Sequence, residues 1–305
     1  MKLKILLLFI FFPIIALGQK PGDFNNLVEK INHCLLEYFE LSSFGAYNNY
    51  CPVEGFGLSK QEMKELIKDA DSKEVLSANK DSIQESYMIE FFQNKIVDYF
   101  DSIIKHPDFF KNDINNLIKE EDHSIVISDD NKLLNFSFDE QTGGTYRSQI
   151  SKMYYVDADA KKVIDLNQTD KSVFADDGYN AIYALQTTEG TKYVLTGSVR
   201  TCTSCILTYV QLLRFSGSEF IEEFALFMDS RAWNESVAYE HEEKTIYIDY
   251  DIDDLTSYCY GCEKEFNYDE LEENQRTVHC YSKLVFDGKS FELRESHWKI
   301  IENEN

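Results

Sequence analysis

Residues 191–220, TKYVLTGSVRTCTSCILTYVQLLRFSGSEF, constrain the fold of this chain most. They read as strand, short loop, strand, Gly turn and strand, because blocks of β-branched and aromatic residues alternate with turn formers. A shift of 60 residues towards the N-terminus, without a gap, lays Lys192 on Lys132 and Phe215 on Tyr155. The same shift lays Cys202-Thr203-Ser204-Cys205 on Thr142-Gly143-Gly144-Thr145. Further on, residues 191–194 match 245–248 and residues 213–220 match 284–291. Cys259-Tyr260-Gly261-Cys262 then falls in the same loop, and an acidic insert, 263–276, accounts for the longer offset. Recurrence at a fixed period predicts units that bury their faces on one another.

From His123 onward the apolar pattern alternates with period two, and residues 121–300 are predicted to form an antiparallel β region. Its first unit has strands at 124–128 and 133–139, one ending at Val156, and one at 163–166. The second has strands at 181–186, 192–197, 206–215 and 220–227, and the third at 236–240, 245–251, 278–286 and 291–295. Four-stranded units in series resemble propeller blades, and a closed ring needs about four to eight of them. Three units therefore predict a propeller-like open arc or a curled meander. A covering element is needed where an arc leaves an edge exposed.

Residues 19–120 supply that cover, and the expected fold class is α+β with a helical N-terminal region. Leu27, Ile31, Cys34, Leu35 and Tyr38 recur at helical spacing. Ser59 and Glu62 form a capping box before Met63, Leu66 and Ile67. Met88, Phe91, Phe92, Ile96, Tyr99, Phe100, Ile103 and Ile104 make a broad apolar stripe, which is core packing. Pro107 opens a further predicted helix carrying Phe109, Phe110, Ile114, Leu117 and Ile118.

Residues 1–18 read as a signal peptide: Lys2 and Lys4 precede an apolar run that ends in Ala16-Leu17-Gly18. The run is shorter than the roughly 20 residues a membrane helix needs. Cleavage after Gly18 gives an extracytoplasmic, periplasmic or secreted, mature chain with no membrane span. Losing Lys2 and Lys4 takes the formal charge from −24 to −26. Such acidity repels nucleic-acid phosphates and suits a basic partner.

The turn Ser128-Asp129-Asp130-Asn131-Lys132, followed by the Thr142–Thr145 loop, resembles a pattern in uncharacterised exported bacterial proteins. The resemblance covers residues 124–156. It implies an extracytoplasmic location and no activity.

The sharpest chemical signal is the pair of C-x2-C motifs, Cys202/Cys205 and Cys259/Cys262. Four thiolates at that spacing can chelate zinc. Export favours disulfides instead. The bridges are expected within each motif or across the two loops, with Cys280 a competing partner for Cys259 or Cys262, and sequence does not choose the connectivity. Redox catalysis is disfavoured because Cys205 leads into a strand, not the helix N-terminus that lowers a thiol pKa. Cys34 and Cys51 are expected to close a modest loop, adding about 3 kcal/mol through restriction of the unfolded chain. Seven cysteines leave at least one thiol over.

Asp249, Asp251 and Asp253 alternate along a strand and could offer oxygens to calcium, although a solvated polar face is the ordinary reading. Thr142, Gly143, Gly144 and Thr145 form a candidate ligand face with exposed backbone N–H groups; a plain tight turn uses the same residues. None of the six histidines sits in H-E-x-x-H, and neither G-x-S-x-G nor a phosphate-binding Gly loop occurs. No cofactor is expected. The function expected is an exported, non-catalytic binding protein for a protein or glycan partner outside the cytoplasm. An acidic inhibitor or immunity-type protein facing a basic partner is one form of it. The alternative is an extracytoplasmic, glycan-directed hydrolase built on a carboxylate pair that sequence does not identify.

Overall fold

A computed structural model describes residues 23–41, 49–69, 82–119, 122–141, 144–167, 173–217, 219–231 and 236–302. The signal-peptide expectation for residues 1–18 lies outside the described residues.

Among the described residues the N-terminal part holds three helices, α1 (Phe24–Glu40), α2 (Lys60–Asp69) and α3 (Glu85–Ile104). Asp23 caps α1 by accepting from the Asn25 N–H at 3.1 Å. The capping box forms as expected: the Ser59 N–H donates to Glu62 Oε2 at 2.9 Å, and the Glu62 N–H donates to Ser59 Oγ at 3.2 Å. Ile31, Cys34, Leu35 and Tyr38 of α1 are buried, as are Met88, Phe92, Ile96 and Phe100 of α3.

The region is not wholly helical. Two three-residue strands, β1 (Tyr50–Pro52) and β2 (Ser82–Gln84), pair antiparallel within it. The helix expected after Pro107 is replaced by two single 3-10 turns, Phe109–Lys111 and Ile114–Asn116. Asp113 accepts from the Asn115 N–H and the Asn116 side chain, so short polar side chains capture the groups that a helix would use.

The expected Cys34–Cys51 bridge is not made; both are buried thiols. Cys34 on α1 feels Glu62 and Lys95, whereas Cys51 on β1 feels Glu85. Glu85 and Lys95 lie roughly 15 Å apart along α3 at 1.5 Å per residue. Burial pushes the two thiols up to about 12 and about 11, which keeps them protonated and inert.

The β region forms three separate four-stranded antiparallel sheets, each with its strands in chain order. They do not close into a barrel or a propeller among the described residues. The first sheet is β3 (His123–Ile127), β4 (Leu133–Asp139), β5 (Gln149–Asp157) and β6 (Lys162–Asp165). The second is β7 (Ala181–Thr187), β8 (Gly190–Arg200), β9 (Ile206–Phe215) and β10 (Phe220–Ser230). The third is β11 (Val237–Glu240), β12 (Thr245–Asp251), β13 (Arg276–Phe286) and β14 (Phe291–Glu302), with a short helix α4 (Tyr268–Glu273) in the acidic insert.

Alternation along the strands sorts the side chains into layers. Phe136, Phe138 and Tyr154 of the first sheet share a core with α1 and α3. Leu133 and Met153, on its other face, share a core with Tyr193, Leu195, Tyr209 and Leu213 of the second sheet. Val194, Val210 and Leu212 then face Ile246, Ile248, Val278 and Leu284 of the third. The outer face of the third sheet carries charge and hydroxyls in cross-strand rungs. Tyr247 lies opposite Lys283 and Glu295, Asp249 opposite Tyr281 and His297, and Asp251 opposite His279 and Lys299. At the first strands of the sheets, Asp129 Oδ1 accepts from the Ala184 N–H at 2.7 Å, and His241 stacks on Tyr183 at 4.7 Å.

The internal match needs two corrections of register. Leu133 pairs with Tyr155, but Tyr193 pairs with Leu213 and not with Phe215. A two-residue offset keeps every side chain on its face, and Tyr155 and Phe215 in fact stack on each other at 4.5 Å. The match of residues 191–194 to 245–248 is out by one. Tyr193 is buried against the first sheet, while Tyr247 faces outward and its neighbours Ile246 and Ile248 face in.

Gly197 on β8 is required by packing. A Cβ there would stand 2.3 Å from the Tyr209 ring, whose hydroxyl donates to the Gly178 carbonyl. Gly197→Ala is expected to lower folding stability by about 1–3 kcal/mol through overpacking, read as a shift in the urea midpoint. An unchanged midpoint would contradict this account of the Tyr209 contact.

Candidate interaction rim

The second connection of each sheet carries one of the three loops singled out by the repeat. Hydrogen bonds link these connections in series. The Arg147 N–H, at the end of the first, donates to the Arg200 carbonyl at the start of the second, at 2.9 Å. Thr201 of the second donates to Asp229 Oδ1 on β10 at 3.0 Å. Thr256 of the third donates to the Asp229 carbonyl at 3.3 Å, and Arg231 pairs with Asp254 at 2.7 Å. The loops that the sequence aligned therefore share one rim.

Of the Thr142–Thr145 loop, Thr142 and Gly143 lie outside the described residues. Gly144, at φ +79°, and Thr145 are exposed, with nothing within 4 Å of a Cβ at Gly144. Beside them the Tyr146 hydroxyl donates to Asp177 at 3.3 Å. Burial raises the Asp177 carboxyl above its ordinary range, against the hydrogen bonds from Gln149 and Tyr146 that lower it.

Of the pairings left open, the second loop takes the one within its motif, a Cys202–Cys205 bridge with Cα atoms 4.7 Å apart. The third differs: Cys259 is bridged to Cys280 on β13, and Cys262 is a thiol. Cys280 projects from the same face of β13 as Val278 and Ser282, directly under the loop, so strand facing decides the partner. Three of the four sulfurs proposed for zinc are thus held as disulfide, which is not a thiolate ligand. The three aspartates proposed for calcium also part company. Asp249 and Asp251 flank His279 at 3.4 and 2.9 Å, while Asp253 accepts from the Leu255 and Thr256 N–H groups in a turn. Among the described residues no group of three His, Cys, Asp or Glu side chains is arranged to hold a metal ion.

Between the second and third sheets the rim opens into a groove of about 370 Å³. Phe227, Met228 and Asp229 of β10 form one wall, and Leu255, Tyr258 and Tyr260 of the third connection form the other. Leu255 and Tyr258 are 45% and 56% exposed, so the groove presents apolar surface to water, while the Phe227 ring turns to the other face of β10 and stacks on Tyr209. The Tyr250 hydroxyl pins the far wall, donating to the Tyr258 carbonyl at 2.7 Å and accepting from the Tyr260 N–H at 3.0 Å.

No family model, curated protein or solved structure matches the chain. The chemistry of the groove must be read from the groove itself. Its near wall is a sheet edge, because among the described residues β10 pairs only with β9. The Asp229 carbonyl points away from β9, towards Thr256. Peptide groups two residues apart point the same way along a strand, so the N–H and C=O of Phe227 also open onto the groove. Such an edge offers main-chain hydrogen bonds to an added strand, and flanking apolar pockets take its side chains. Of the wall residues, Tyr260 alone lay in a loop singled out in the sequence. Leu255 and Tyr258 carried a signal there all the same: two large apolar residues within the turn-forming run Asp253-Asp254-Leu255-Thr256-Ser257-Tyr258.

Proposed function

We propose that this chain is an exported, non-catalytic interaction protein that receives an extended, basic segment of a partner protein along the free edge of β10. The observation that carries this reading is the groove of exposed Leu255 and Tyr258 beside the outer edge of β10. The formal charge of −24 supplies the preference for a cationic partner. Two disulfides, and the lack among the described residues of any helix long and apolar enough to cross a membrane, are consistent with an extracytoplasmic location. The close approach of Asp129, Ala184, Tyr183 and His241 at the first strands of the three sheets supports reading the sheets as a propeller-like open arc.

The test uses the mature chain and two synthetic peptides that alternate valine with lysine or with glutamate. Titration should show binding of the lysine peptide, weakened by salt. Tyr258→Ala and Leu255→Asp should each weaken it about tenfold, the loss expected of a central apolar anchor. Equal affinity for the two peptides, indifference to both substitutions, or turnover of envelope glycan by the mature chain would overturn the reading.

A further inference from the structure

Cys262 is a partly exposed thiol three residues from one end of a disulfide. Its N–H donates to the Cys259 carbonyl at 3.0 Å, closing a four-residue turn over Gly261, whose φ is +74°. Such a turn holds its end Cα atoms within about 7 Å. That overlaps the separation a disulfide spans. The chain itself contains the alternative arrangement. At the corresponding rim position of the second sheet the C-x2-C pair, Cys202–Cys205, is bridged across 4.7 Å.

We infer that Cys259, Cys262 and Cys280 form a thiol–disulfide exchange site with two resident bridges. Cys262 gives up its proton, and its thiolate attacks Cys259 Sγ. The Cys262–Cys259 bond forms as the Cys259–Cys280 bond breaks. The electron pair leaves on Cys280 Sγ, which takes the proton. One bridge and one thiol exist before and after, so no oxidant or reductant is consumed. The Ser296 hydroxyl lies 3.1 Å from Cys262 Sγ, a hydrogen-bonding group at the attacking sulfur. Cys280 is fully buried among apolar residues and is at ease there as a neutral thiol. Exchange moves the third rim connection from a bridge anchored in β13 to one closed on itself. The inference stands on the three sulfurs and does not depend on the partner proposed for the groove.

The test is a timed incubation of the native protein at about pH 8.5, where thiolate is abundant. It is followed by acid quench into denaturant with a maleimide and by mapping without reduction. Cys34 and Cys51 are labelled in either state and serve as internal standards. The expected result is label shared between Cys262 and Cys280, with bridged peptides joining Cys259 to each. Cys262→Ser should remove the Cys280 label by roughly tenfold or more, because the attacking sulfur is gone while the hydroxyl keeps its contact with Ser296. Label confined to Cys262 at every time, label confined to Cys280 from the outset, or a Cys280 signal that survives Cys262→Ser would each overturn the inference.

Discussion

Lys192→Ala is expected to cost roughly 3 kcal/mol of folding stability, because it removes one of the two cations that hold Glu223 and a fully buried side chain between two sheets. Lys192 is fully buried in β8. Its ammonium lies 2.7 Å from Glu223 Oε2 on β10 and donates to the Lys289 carbonyl, in the β13–β14 turn, at 2.8 Å. Exposed Glu189, at 3.2 Å, adds little. Burial opposes charge on Glu223, yet hydrogen bonds from Lys192 and Arg214 outweigh it and hold the carboxyl below its ordinary value of 4.5. A lowered carboxyl contributes stability above that value and loses it as the pH falls through the folded pKa beneath it. Urea unfolding near neutrality should therefore show the full deficit of Lys192→Ala, and the gap from wild type should narrow in acid. Lys192→Met with Glu223→Gln, which removes both charges and keeps the volume, should recover about half of the loss or more. A single variant as stable as wild type would show that the ion pair is idle.

Phe100→Ala should cost a similar amount, roughly 3–5 kcal/mol, by opening a cavity where the helices meet the first sheet. Phe100 of α3 is fully buried and stacks on Phe136 of β4, with centroids 3.9 Å apart and planes 5° from parallel. One residue on, Asp101 accepts from the Tyr154 hydroxyl at 2.7 Å. Helix and sheet share one core here, so the variant should weaken both together in a single transition by far-UV dichroism and tyrosine fluorescence. Phe100→Ala and Phe136→Ala should be non-additive when combined, because each already removes the stack. A loss below about 1 kcal/mol for Phe100→Ala would mean that the site collapses around the gap.

Both residues were visible in the sequence to different degrees. Phe100 lay in the apolar stripe of α3, where spacing alone identifies a core face. Lys192 served only as a marker of the repeat, because burial of a lysine depends on what the neighbouring sheet brings to it. The strands at 133–139, 206–215 and 245–251 coincide with β4, β9 and β12, since period-two alternation is a local property. Strands β1 and β2, at three residues each, are too short to alternate detectably. The sequence offered Cys280 as a competing partner for Cys259 without choosing it: Cys280 is 21 residues away, and only the facing of β13 brings it beneath the loop. The groove was least legible. Its walls come from one sheet's edge and another sheet's connection, and their meeting is a matter of packing.

The rungs on the outer face of the third sheet have a consequence for how long such an array can grow. A further unit stacked there would have to strip water from Asp249, Asp251, Lys283, Glu295 and Lys299, where each earlier junction buries aliphatic and aromatic side chains. End units with a polar outside are how serial architectures terminate. The outer surface of the third sheet is thus written for solvent, much as a brick is glazed on one side.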